Sequence, residues 1–404
     1  MQKSTVKIAM YLNYFVFAIL LNSVGIVILK SQANYGVDEL QASVLEAFKD
    51  LPIAIVSFLV ASFLPRIGYK RAMLIGLGLV TLACVSMYFG NSFSAAKILF
   101  ATVGVSFALI KVSVYSLIGT ITENQQEHNS LMSSIEGVFM LGIALAYFLF
   151  PAFNSETNPD SWLNVYWLLA LMAIISFGFL FFAKFENKTE IPGVNLVDDF
   201  VQMFKLFAKL LTIVFVISAF LFVMIEQGIM SWLPTFNSKV LHLPENISIM
   251  MASILAITLA VGRLLAGIIT KKVNWIWVLS FCIIMAMLIV IFVLPKTVGL
   301  DVKVINSFGD IPLIGFAFPL VGLFIAPIYP LLNSVVLSAL PQKLHSSMTG
   351  LIVVFSALGG TLGSRIIGYL FKNEGPENAF YYTLIPMSLL LVSFFILKKL
   401  TAKS

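Results

Sequence analysis

Charge is what this 404-residue chain has least of: Asp, Glu, Lys and Arg together make up 11% of it, while 60% of its residues are apolar. That is too little charged surface to solvate a globule of this size. It excludes an ordinary soluble enzyme, a nucleic-acid-binding protein and a disordered scaffold. Cysteine is nearly missing as well. Cys84 and Cys282 are the only two; both lie inside long apolar runs, so no disulfide framework is expected and they read as packing side chains. The three histidines, His128, His242 and His345, fall at loops or run ends. No Glu/His ligand pattern and no nucleophile with a base accompanies them, so neither metal chemistry nor an intramembrane hydrolase is expected. There is no Gly-rich phosphate loop to cradle ATP and no repeated filter-like loop of a channel. No cofactor is expected.

What is present is apolar length, with a mean hydropathy of +1.00. Runs bounded by polar or Pro/Gly punctuation fall at about 7–29, 41–64, 72–90, 95–121, 130–153 and 162–183, and again at about 209–236, 246–270, 274–294, 308–340, 347–371 and 379–397. Each is long enough to cross a bilayer as a helix of roughly 20 residues. These are spans 1 to 12. Alternation with period two over ten-residue segments is absent, which excludes a membrane barrel. The fold class expected is therefore all-α, a polytopic membrane protein of twelve transmembrane helices arranged as six plus six. Between the sets lies the longest polar stretch, so the expected organisation is a six-helix bundle over 1–184, a cytoplasmic linker over 185–208 and a second six-helix bundle over 209–404. An amphipathic surface helix is expected from Val194 onward. The first run has no small-residue cleavage site after it and reads as a retained span.

Basic residues mark the cytoplasmic side of a membrane chain. With the amino end inside, 15 of the 25 Lys and Arg fall on that side, 6 on the other and 4 within spans. This places both termini in the cytoplasm. It also supports an even number of spans, since one missed helix would invert every later loop.

Eight ionisable residues lie inside spans: Glu46, Lys49 and Asp50 in span 2, Lys111 in span 4, Glu136 in span 5, Glu226 in span 7, Arg263 in span 8 and Arg365 in span 11. An ionised group there costs at least about 2.5 kcal/mol, so each needs a partner or a use. Depth counted along the helices puts Lys111 level with Glu136, and Glu226 level with Arg365. Both pairs are expected to meet, Lys111 and Glu136 directly or through one water, either as static bridges or as pairs opened when a proton or solute competes. Glu46, Lys49 and Asp50 share a helical face, as a coupling cluster or as a solvated mouth. Arg263 reads as a structural anchor. Asn22, Tyr115, Gln227, Trp232, Tyr329 and Asn333, with Lys111 and Arg365, offer the amides, hydroxyls, rings and cations that suit a polar organic solute. Each of these also has a plain reading as helix packing.

Twelve spans as six plus six, a mid-chain linker and Pro65-Arg66-Ile67-Gly68-Tyr69-Lys70-Arg71 between spans 2 and 3 resemble the Major Facilitator Superfamily, with Pro65 where many members carry Asp. The resemblance implies two pseudo-symmetric six-helix bundles working by alternating access, with Arg66, Gly68 and Arg71 in a gating or structural role beside Arg263. Glu226-Gln227-Gly228 followed by Ser231-Trp232-Leu233-Pro234-Thr235-Phe236, Gly262-Arg263 and Pro327-Ile328-Tyr329-Pro330 are similar to fucose-permease-like sugar/proton symporters. That similarity implies a small sugar-like solute, and a proton carried by membrane carboxylates. Glu226, Glu136, Asp50 and Glu46 are the candidates. Export of drugs or lipids, or carriage of an anionic metabolite drawn to Lys111 and Arg365, are the competing readings. The expected partners are the solute, the proton and the lipid bilayer, with no nucleic acid. The chain is expected to act as a monomer in a bacterial inner (plasma) membrane.

Overall fold

The computed structural model describes residues 2–122, 125–155, 157–183, 205–270, 272–297, 307–340 and 344–401. Among these the chain is helical with no β-strand. Most of the expected linker, including its amphipathic helix, lies outside the described residues, as does the Arg66 side chain. Eleven helices are long and apolar enough to cross a membrane. The twelfth expected span is the 24-residue helix Val44–Ile67, which carries Glu46, Lys49 and Asp50.

The helices follow the apolar runs, and their departures have local causes. Span 1 is not one rod but two helices, Gln2–Asn22 and Val24–Tyr35. At the break the Asn22 amide donates to the Ala18 carbonyl at 2.8 Å and the Ser23 hydroxyl to the Leu20 carbonyl at 2.8 Å. Such back-bonding competes with the ladder and bends the helix. Span 2 is preceded by the four-residue helix Glu39–Ala42, opened by a reciprocal cap: Gln41 N donates to Asp38 Oδ1 at 2.7 Å, and Asp38 N to Gln41 Oε1 at 3.1 Å. Spans 3 to 6 are Tyr69–Gly90, Phe93–Ile121, Gln125–Ala152 and Val165–Phe182. Spans 7 to 9 are Leu210–Lys239, Glu245–Ile269 and Trp275–Thr297.

Span 10 is broken into Leu313–Ala317, Phe318–Leu320, Val321–Ile325 and Ile328–Ser338. Its prolines 312, 319, 327 and 330 each remove a backbone donor. At the break the Thr258 hydroxyl of span 8 donates to the Pro319 carbonyl at 3.0 Å. Spans 11 and 12 are His345–Asn373 and Leu384–Thr401.

By packing, the chain divides into two compact units. One comprises Met1–Gly36 with Phe48–Leu196; the other comprises Val37–Ala47 with Val197–Ser404. In the first, Gly142 of span 5 lies so close to span 1 that a Cβ there would stand 2.8 Å from the Phe15 carbonyl oxygen. The turn between spans 2 and 3 is made by Gly68 alone, at φ +86°, a conformation that favours glycine. Lys70 then reaches the end of span 6, donating to the carbonyls of Phe181 at 2.7 Å and Ala183 at 2.6 Å.

In the second unit spans 7 and 11 touch backbone to backbone. A Cβ at Gly359 would lie 2.3 Å from the Phe220 oxygen, and one at Gly363 2.3 Å from the Met224 oxygen. Small residues permit that approach where hydrophobic exclusion cannot drive it. An aromatic core fills the same unit, with Trp232 5.0 Å from Phe371, and Phe236, Phe318 and Phe380 mutually within 5.1 to 5.5 Å.

Candidate functional site

In the first unit the intramembrane polar groups gather against aromatic rings. Tyr14 packs on Phe107, Tyr115 and Phe139 with centroids 6.1, 6.4 and 5.8 Å apart. Lys111 and Tyr115 share one face of span 4 because they are four residues apart. The Lys111 ammonium stands 5.8 Å from the ring centroids of both Phe107 and Tyr115, in cation–π geometry. Across from it on span 5, Glu136 Oε1 accepts a 2.8 Å hydrogen bond from the Tyr115 hydroxyl.

Lys111 and Glu136, expected to meet directly or through one water, do not form a direct ion pair. The two are within electrostatic reach of each other, but Tyr115 takes the carboxylate and turns its face to the ammonium. Counting depth along two helices fixes height and not rotation, and a tyrosine on the same face as the lysine was the nearer donor.

In the second unit, Arg263 Nη2 donates to Glu226 Oε1 at 3.1 Å, with the two side chains 35% and 12% exposed. Tyr329 stacks on Phe222 at 5.5 Å and shares a 3.2 Å hydrogen bond with Ser356. It lies within electrostatic reach of the Glu226–Arg263 pair. Gln227 and Asn333 are half-buried nearby in sequence on spans 7 and 10.

The expected Glu226–Arg365 pair does not form. Counting both residues from distant span ends misplaced them. Measured instead from the loop shared by spans 7 and 8, Glu226 and Arg263 differ by about five residues, about 8 Å in height, which an arginine side chain bridges.

Arg365 is engaged by the segment 37–47 of its own unit. Its guanidinium donates to the Leu40 carbonyl and, at 3.4 Å, to the Ser43 hydroxyl. A four-residue helix leaves carbonyls without intrahelical donors, and Arg365 supplies one. Lys239 of span 7 pairs with Glu39, Lys372 of span 11 bonds Asp38 at 2.8 Å, and Ser231 of span 7 donates to Glu46 at 2.8 Å. Gly368 completes the seat, since a Cβ there would lie 2.8 Å from Ser43 Cβ and 2.9 Å from the Glu39 oxygen.

The remaining expected residues divide by what they touch. In the acidic cluster of span 2, Lys49 pairs with Asp50 at 3.4 Å, and the buried Glu46 accepts from the Ser231 hydroxyl at 2.8 Å. Trp232, expected to face a solute, is fully buried, and its indole N–H is spent on the Ser364 carbonyl at 3.0 Å and hydroxyl at 3.1 Å. Asn22 spends its amide donor on its own helix. Arg71 is exposed beyond the Gly68 turn. Ser231, Ser364 and Tyr14 carry contacts that no single-residue signal in the sequence announces, because hydroxyls are common in membrane helices.

A model of the Major Facilitator Superfamily matches residues 8–364. The glucose/mannose transporter of Bacillus subtilis (strain 168) is 25% identical over 262 residues, 62% of this chain. The match spans 60% of that relative's length. Among solved structures, a bacterial homolog of the human lysosomal transporter Spinster superposes with a TM-score of 0.76 at 13% identity, over 98% of this chain and 97% of its own. The E. coli fucose:proton symporter does so with 0.65 at 11%, over 98% and 99%. A D-xylose-proton symporter does so with 0.66 at 13%, over 98% and 97%. At these identities the likeness is one of fold.

Proposed function

The chain belongs to the Major Facilitator Superfamily and is a membrane transporter rather than an enzyme, and we propose that it moves a sugar or related polar metabolite across the bilayer by alternating access, in symport with protons. The observation that carries this reading is a repeated arrangement. Each unit holds a carboxylate inside a span, in a hydrogen bond that protonation would weaken, beside a pair of aromatic rings: Glu136 with Tyr115, and Glu226 with Arg263 near Tyr329 and Phe222. A proton arriving at such a carboxylate removes the charge that holds its partner, and the partner is then released to a solute or a new conformation.

In this reading Glu226 and Glu136 are the coupling carboxylates, and Lys111, Tyr115, Gln227, Tyr329 and Asn333 meet the solute. The bodies that move are the halves 1–184 and 209–404, joined by 185–208, except that the segment 37–47 goes with the second half. The chain works as a monomer in a bacterial plasma membrane with both termini in the cytoplasm. Asp50 and Glu46, each engaged by a neighbour, serve to hold the fold.

Reconstituted vesicles test the reading. With an inward acid gradient the protein should accumulate a labelled hexose or pentose, and a protonophore should abolish accumulation while leaving exchange. Glu226→Gln should exchange solute and not accumulate it. Accumulation indifferent to the protonophore would remove proton coupling from the reading, and absence of exchange for every polyol tried would remove the solute class.

A further inference from the structure

The four basic residues inside the spans differ in how their donors are used. Lys49 has Asp50 at 3.4 Å, Arg263 has Glu226 at 3.1 Å, and Arg365 has Leu40 and Ser43. Of these four, Lys111 is the one that, among the described residues, meets ring faces, those of Phe107 and Tyr115. A ring face balances part of the charge but accepts poorly from N–H, and an ammonium carries three donors and no acceptor. Glu136 lies within electrostatic reach, but its Oε1 takes the Tyr115 hydroxyl. Lys111 is half-buried. The neighbouring positions are aromatic, which keeps the local dielectric low and raises the value of one well-placed opposite charge.

A neutral hydroxyl at that place would accept a hydrogen bond but bring no charge of its own. A carboxylate accepts two and matches the charge of the ammonium. A phosphate dianion would bring one charge more than this single ammonium balances. We propose that Lys111 is the specificity-determining residue of the first unit, and that the solute is an acidic polyol, a sugar carrying a single carboxylate such as a hexuronate or hexonate, whose carboxylate bonds the Lys111 ammonium. The proposal rests on the transport reading above and narrows its solute class.

The test is counterflow exchange in vesicles, which needs no proton gradient, across a neutral hexose, a hexuronate, a hexonate and a hexose 6-phosphate. Wild-type protein should exchange the two carboxylates in preference to the neutral sugar and the phosphate. Lys111→Gln should lower carboxylate exchange about 10- to 100-fold, the worth of one charge-assisted contact, and Lys111→Arg should hold it within about 10-fold. Should Lys111→Gln fail to fold, the wild-type protein in detergent decides: the carboxylates should raise its unfolding temperature and the neutral hexose should not. Exchange of the neutral hexose with none of the acids overturns this inference and leaves the sugar reading standing. Preference for the 6-phosphate overturns the assignment of a carboxylate. Exchange of none of the four overturns both readings.

Discussion

The guanidinium of Arg263 on span 8 donates to the carboxylate of Glu226 on span 7 at 3.1 Å, in helices rich in Leu, Ile, Val and Phe. Neither residue would persist there alone. The attraction of the pair offsets the cost of taking both charges from water, and a low-dielectric setting makes the remaining charge expensive if one is removed. Arg263→Gln should therefore destabilise the protein by about 1–3 kcal/mol. Glu226→Gln in the same background should cost less than it does alone. Thermal unfolding of the two single variants and the double variant in detergent measures this, with a coupling of about 0.5–3 kcal/mol expected; additive effects would show that the contact contributes no net stability.

Glycine substitutions along the helices should divide sharply by what lies opposite. At Gly363 a Cβ would meet the Met224 backbone oxygen at 2.3 Å, and no side-chain rotation can relieve a clash with backbone. Gly363→Ala should push spans 7 and 11 apart and cost about 1–3 kcal/mol. Gly267 has nothing within 4 Å, so Gly267→Ala should be neutral or stabilising by up to about 1 kcal/mol through helix propensity. Paired thermal-shift curves for the two variants, run side by side, check the contrast.

The seat of the segment 37–47 should carry an acid limb. Lys372 lowers the pKa of Asp38 from the ordinary aspartate value by hydrogen bonding to it, helped by the Gln41 backbone N–H. A carboxylate whose folded pKa is depressed contributes stability above its unfolded value of about 3.9 and loses it as pH falls through the lower folded value. Wild type and Lys372→Ala should thus differ in unfolding temperature by a constant amount from pH 5 to 8 and converge only on further acidification. A difference that changes between pH 6 and 8 would assign the effect to another group.

Lys70 ends span 6 from outside the helix, with donors to Phe181 at 2.7 Å and Ala183 at 2.6 Å. Terminal carbonyls have no intrahelical partner, and a cation there also meets the negative end of the helix dipole. Lys70→Ala should cost about 0.5–2 kcal/mol, and Lys70→Arg should restore most of it. Amide exchange of the last turn of Val165–Phe182 gives the local readout: faster exchange in the alanine variant is expected, and unchanged exchange would show that the bonds do not hold that end.

Composition alone decided the setting, because a chain with 11% charge has no soluble way to hide its apolar surface, and a helix is the way a single segment satisfies its own backbone in lipid. The spacing of the apolar runs then placed the helices to within a few residues, and the cost of buried charge singled out Glu136, Glu226, Lys111, Arg263 and Arg365 as residues with work to do. Partnership was a different matter. Which charge meets which depends on the rotation of each helix about its axis and on the level at which it starts, and neither is written in the distance between residues along one chain. So Glu226 met Arg263 rather than Arg365, Tyr115 came between Lys111 and Glu136, and Trp232, which reads as a stacking platform, closed a core against Ser364 and Phe371. The segment 37–47, contiguous in sequence with the first set of spans, packs with the second unit because Lys239, Arg365 and Lys372 supply the donors that its acids and free carbonyls lack. Local chemistry determined what each residue requires, and only the packed helices decided which neighbour provides it.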